Sequence, residues 1–200
     1  MTEDLSESVI DLFHRHIESC MYTMEAIGPN VAAASAYIVE SMLSDGKVLC
    51  CGEGSFALLA QQLSGNLINR YRRERPSLPA IALNTDAAAL TAIAADNGFS
   101  DIFSSQVRAL GHEGDCLVIF YMGAGSSSIL RCIQAAHERG MRVISINNMN
   151  GGDGSALLSA DDIEIAIPVE DRPRVIEMQL ITVHSLSELI DAQIFGMEQA

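Results

Sequence analysis

Two hundred residues carry Lys+Arg 12 against Asp+Glu 26, a net charge of −14, and the chain is 48% hydrophobic but only 19% charged. That apolar content excludes a disordered chain, and the acidic balance excludes one that coats nucleic acid, which needs cations to displace condensed counterions. The five cysteines (Cys20, Cys50, Cys51, Cys116, Cys132) are odd in number and lie mostly in apolar runs, as reduced thiols do. No basic and apolar leader opens the sequence, and no run reaches the roughly 18 apolar residues of a membrane span. A cytoplasmic location is expected.

The first segment, Leu5 to Met42, has helical period. Val9, Leu12, Phe13, His16, Ile17, Cys20 and Met24 recur at three- and four-residue steps as one apolar stripe. Gly28-Pro29-Asn30 predicts a break, with Pro29 opening a second helix that runs to about Leu43. A helix pair ahead of any strand leaves an apolar stripe in need of a partner surface, which points to an oligomer. His14 and His16 do not share a helix face and so form no metal pair.

From Lys47 the pattern changes to short apolar runs. Lys47–Cys51, Ala80–Leu83, Cys116–Phe120, Val143–Ile146 and Ile163–Ile167 read as strands, with helices at about Phe56–Arg72, Ser126–Arg139 and Arg172–Phe195. That alternation predicts a five-stranded parallel sheet with helices on both faces, an α/β fold. One domain is expected over 1–200, with the helix pair at 1–44 and the α/β core at 45–200. The ligand site of such a sheet lies at the carboxyl ends of its strands. This singles out Gly52-Glu53-Gly54-Ser55, Tyr121 to Ser127, and Asn147 to Ser155. The cluster Arg70, Arg72, Arg73 and Arg75 follows a helix, where cations complement the dipole.

These loops, in this order, resemble the sugar isomerase (SIS) domain family over essentially the whole chain, and within it the phosphoheptose isomerase branch. The match is specific at Arg75-Pro76-Ser77-Leu78-Pro79-Ala80-Ile81-Ala82-Leu83, at Asn84-Thr85-Asp86, at Leu90–Ala94, at Phe99–Phe103 and at Gln106–Gly111. From Arg75 through Gly114 the chain is similar to the family members that bind the replication initiator DnaA, the DnaA initiator-associating (DiaA) proteins. The resemblance implies a three-layer SIS sandwich and a homotetramer held by the N-terminal helices.

It also implies which residues would act. The family's first phosphate cradle typically reads Gly-Asn-Gly-Gly-Ser, where this chain has Gly52-Glu53-Gly54-Ser55-Phe56. Its second, usually Ser-Thr-Ser-Gly-Asn-Ser, is here Tyr121-Met122-Gly123-Ala124-Gly125-Ser126, followed by Ser127 and Ser128. The remnant able to touch a phosphosugar is therefore Gly52, Gly54, Ser55, Ser126, Ser127 and Ser128. The three serines read equally as ordinary helix N-caps. The branch's metal and proton-transfer positions fall on Gln62, Asn66, Ile176 and His184, and only His184 is retained. Two amides and an isoleucine make a poor ligand set, so no metal, no other cofactor and no catalysis are expected.

The resemblance then implies a non-catalytic tetrameric scaffold that gathers DnaA at the replication origin without touching DNA or a membrane. Ile194 and Phe195 stand where the DiaA proteins carry a Leu-Phe pair on their initiator-binding surface; alternatively both simply close the last helix onto the domain. Two other readings stand beside the scaffold: a sedoheptulose 7-phosphate isomerase of heptose synthesis, and a non-catalytic phosphosugar sensor.

Overall fold

The computed structural model describes residues 5–196. Met197 and Glu198, which follow the Ile194-Phe195 pair, lie outside the described residues, as do the ends of the expected 1–200 domain. Five strands, β1 (Val48–Gly52), β2 (Ala80–Ala82), β3 (Cys116–Phe120), β4 (Arg142–Asn148) and β5 (Ile163–Ile167), form one sheet in the order β2-β1-β3-β4-β5. Every pairing is parallel. The register sets Gly52 beside Phe120 and Phe120 beside Ile146, so the strand ends form a level rim. This is the layered α/β architecture with a five-stranded parallel sheet that the sequence predicts.

Strands buried on both faces send successive side chains to opposite cores. Val48, Cys50, Cys116 and Val118 enter one core, beneath α1 (Leu5–Leu43), α2 (Ser55–Ile68) and α7 (Arg172–Phe195). Leu49, Cys51, Leu117 and Ile119 enter the other, beneath α5 (Ser127–Glu138) and the segment that carries α3 (Ala87–Asp96), a 3₁₀ turn at Phe99–Asp101, and α4 (Ser104–Leu110). A short helix, α6 (Gly152–Ala156), lies between β4 and β5.

The expected N-terminal helix pair is a single helix of 39 residues with Pro29 inside it. Proline removes one backbone donor and frees the carbonyl four residues earlier, here that of Glu25. Glu25 and Gly28-Pro29-Asn30 all face solvent, where water satisfies the freed carbonyl, while Ile27 and Val31 on either side of the proline are buried. Asn30 Nδ2 donates to the Glu164 carbonyl at 2.6 Å and fastens the helix to β5 at that point. The amino-terminal half of the helix exposes Val9, Phe13, Ile17 and Met24. Among the described residues no helix is long and apolar enough to cross a membrane.

Candidate active site

In a sheet of this order the strand connections reverse between β1 and β3, and ligands bind in the crevice outside those strand ends. Gly52 closes β1, and its backbone passes so near β3 that a Cβ would come within 2.8 Å of the Phe120 carbonyl oxygen. Only glycine allows that approach. Asn84, just after β2, donates from Nδ2 to the Gly52 carbonyl at 2.8 Å. Gly54 then starts α2 as its N-cap, with φ at 57°.

Across the crevice Ser126 caps α5, and Ser128 is buried in its first turn. Both hydroxyls converge on Glu53: Ser126 Oγ donates to Oε1 at 2.7 Å, and Ser128 Oγ donates to the same oxygen. The two hydroxyls lie 2.9 Å apart. Of the expected phosphosugar remnant, Gly52, Gly54, Ser126 and Ser128 thus line the β1/β3 crevice. Ser55 and Ser127 are exposed in the first turns of α2 and α5.

Beyond β3 the rim joins Tyr121, Asn147 and Ser155 of the expected loops to Ser145, Glu164 and Gln179, which the sequence did not single out. The Tyr121 hydroxyl accepts from Asn147 Nδ2 at 2.8 Å and from Ser145 Oγ at 3.2 Å. Asn147 Nδ2 also donates to Glu164 Oε1 at 2.8 Å, and Ser155 Oγ donates to that oxygen. Gly154 is seated on Tyr121, where a Cβ would strike the hydroxyl, so the loop after β4 is shaped to this tyrosine. Gln179 of α7 donates from Nε2 to the Tyr121 and Ile146 carbonyls at 2.9 and 3.2 Å. Its place inside an otherwise apolar helix face was the available signal. Among the described residues, Asn84 Oδ1, Asn147 Oδ1 and Gln179 Oε1 are buried acceptors without a donor. All three belong to side chains that brace these strand ends. Buried polar atoms are otherwise nearly always paired, so the rim is short of donors.

The four positions matched to a metal site lie on the face between α2 and α7. Gln62 Nε2 donates to Asn66 Oδ1 at 2.8 Å, and Asn66 Nδ2 donates to Ser187 Oγ at 3.0 Å. Ile176 packs on the apolar core. The His184 ring lies 5.7 Å from that of Tyr71. A divalent transition metal favours imidazole, thiolate or carboxylate donors. Here two of the four positions offer only neutral amides, one of them already accepting from the other, and Ile176 offers no donor atom. Among the described residues no group of three or more His, Cys, Asp and Glu could hold a metal ion. The residues present do not fit the ion.

Ile194 and Phe195 are half-buried and pack on the core rather than standing free. The guanidinium groups of Arg73 and Arg75 lie 5.4 and 5.8 Å from the Phe195 ring centre. Arg73 Nη1 also donates to the Gly196 carbonyl at 2.8 Å. The pair packs the end of α7 against the loop after α2. Part of the arginine cluster is thereby accounted for within the chain, and His16 pairs with Glu177 of α7 at 2.7 Å.

Residues 13–148 match the family model described as SIS domain. The chain is similar to a protein named phosphoheptose isomerase from Chromohalobacter salexigens, at 41% identity over 96% of this chain and 98% of that relative. Another protein of that name, from Methylococcus capsulatus, is 43% identical over 92% of this chain and 94% of its own. Among solved structures, a phosphoheptose isomerase from Francisella tularensis superposes with a TM-score of 0.91 at 35% identity, over 94% of this chain and 99% of its own. These findings overturn the expected non-catalytic scaffold for DnaA. Relatives alike from end to end carry an enzyme's name. The expectation had weighed three substituted positions, Gln62, Asn66 and Ile176, above the rest of the chain.

Proposed function

The chain belongs to the SIS domain family, and on that premise we propose that it is an aldose–ketose isomerase acting on a phosphorylated heptose, sedoheptulose 7-phosphate. The observation that carries this reading is the similarity to proteins named phosphoheptose isomerase over 92% to 96% of the chain. The crevice supports it chemically. The N-terminus of α5, with Ser126, Ser127 and Ser128, offers hydroxyls and backbone donors to a phosphate.

Isomerisation moves one proton between adjacent sugar carbons and another between their oxygens, which calls for a side chain able to take and return a proton. His184 is the family position retained with such a group, and we assign it that role. Gln62, exposed on α2, supplies hydrogen bonds to sugar oxygens rather than charge, and Asn66 holds it in place. No step runs through a metal, so turnover is expected to persist in the presence of a chelator. The exposed stripe of α1 further supports a homotetramer, and the composition supports a cytoplasmic location. The test is proton NMR of sedoheptulose 7-phosphate in deuterated buffer with purified protein. Aldose formation with deuterium entering beside the carbonyl is expected, and it should be lost in His184→Ala. An unchanged spectrum from the unaltered protein overturns the reading.

A further inference from the structure

We propose that Glu53 is a built-in occupant of the phosphate seat, a carboxylate that a phosphorylated ligand must displace before it can bind. The proposal rests on the phosphosugar reading above and adds a device that controls entry to that site.

Glu53 follows Gly52 at the end of β1, and Gly52 lies beside Phe120 in the sheet register, so the side chain starts level with the β3–α5 loop. From there it crosses to α5 and accepts hydrogen bonds from the hydroxyls of Ser126 and Ser128. Ser126 is the N-cap of that 12-residue helix. An anion is stabilised at this position by the helix dipole and by the converging donors. Half-buried Glu53 supplies that anion from within the chain. The hydroxyls that would grip a phosphate oxygen are the ones Glu53 already engages.

Two anions cannot share the seat. A carboxylate and a phosphate a few ångströms apart repel strongly in a partly desolvated crevice. Phosphate therefore enters only as Glu53 swings away, and the observed affinity is reduced by the stability of the Glu53–serine contacts. Unphosphorylated sugars, which do not need this seat, escape the penalty. Glu53 thus sets the ligand preference of the crevice and keeps the α5 N-terminus satisfied while no ligand is bound.

The experiment is titration calorimetry with inorganic phosphate and with sedoheptulose 7-phosphate on the full chain, Glu53→Gln and Glu53→Ala, each checked by thermal melting. Both variants are expected to bind both phosphates tighter by roughly tenfold or more, ~1.4 kcal/mol. Adding Ser128→Ala to Glu53→Ala should abolish the gain. Equal or weaker binding by the variants overturns the proposal, as does failure of both variants to fold, which would make Glu53 a structural anchor. A gain for inorganic phosphate without any turnover of sedoheptulose 7-phosphate upholds Glu53 as the occupant and removes the isomerase reading. Turnover with phosphate affinity indifferent to Glu53 does the reverse.

Discussion

Arg75 Nε and Asp191 Oδ1 meet at 2.7 Å with side chains only 2% and 8% exposed, joining the loop after α2 to the last turns of α7. The guanidinium is satisfied on its other edges by the carbonyls of Asn66 at 2.6 Å and Leu67 at 2.8 Å. Its fork thus caps the end of α2 and ties α7 to it in one contact. Removing one partner from such a pair leaves an uncompensated buried charge, which costs about 3–5 kcal/mol. Asp191→Ala is expected to lower the melting temperature by roughly 6–20 °C, at about 2–4 °C per kcal/mol for a chain of this size. Arg75→Met with Asp191→Leu should lose much less than the sum of the single changes. Differential scanning calorimetry of the double-mutant cycle measures this, and additive losses would show the pair to be uncoupled.

Phe195→Ala is expected to destabilise the fold by about 1–3 kcal/mol, because the ring is half-buried under Arg73 and Arg75. Urea unfolding at constant m-value reads the change directly. A loss below about 0.5 kcal/mol would mean that the ring behaves as an ordinary surface residue.

Alkali should destabilise the protein progressively. Burial pushes the Cys50 thiol up to about 12 and raises Cys51 and Cys116 as well; burial also raises Tyr37, with the neighbouring Cys116 adding to it. An unfolded thiol ionises from about pH 8.5, so above that pH the unfolded state binds fewer protons than the folded state. Stability is then lost as pH rises. Melting temperature should hold below about pH 8.5 and fall steadily towards pH 12. Serine or alanine at Cys50 and Cys116 should flatten the fall, and a flat profile for the unaltered protein would contradict the assignment.

The same burial protects the thiols from chemistry. Cys50, Cys51, Cys116 and Cys132 are fully enclosed, and Cys20 on α1 is half-buried with its Sγ 3.4 Å from His16 Nε2. Since the thiolate is the reactive form, iodoacetamide at neutral pH should modify the native protein once, at Cys20, and all five sites after denaturation. Peptide mass spectrometry locates the label. Native labelling at any other cysteine would show that the core opens.

The sheet was legible because strands buried on both faces leave continuous apolar runs bounded by turn residues, as Cys116–Phe120 does. Pro29 misled, since the cost of about 3 kcal/mol for a proline inside a helix is offset here by the burial of Ile27 and Val31 beside it and by the Asn30 contact to β5. The helices at Ala87–Asp96 and Ser104–Leu110 lack a strong stripe: no residue of the first is buried, and only Ser104 and Val107 of the second are. Glu53 was visible in the sequence as a foreign charge in a phosphate loop. That it binds Ser126 and Ser128 was not, because the contact spans more than seventy residues and depends on β1 lying beside β3. The substitutions at Gln62, Asn66 and Ile176 are legible in the sequence, each set against the family's ligand positions. They did not license the further step from a lost ligand set to a lost enzyme.

The strand order also governs how the chain reaches this structure. Parallel neighbours cannot be joined by a tight turn, and β1 must wait for a partner strand at the other side of α2, α3 and α4 before β3 can pair with it. Such long closures make folding slow relative to helix formation. Until then Cys116–Phe120, an uncharged and wholly apolar segment, has both edges open, and segments of that kind self-associate. Refolding yield should therefore fall with protein concentration, with aggregation running through the central strand of the sheet.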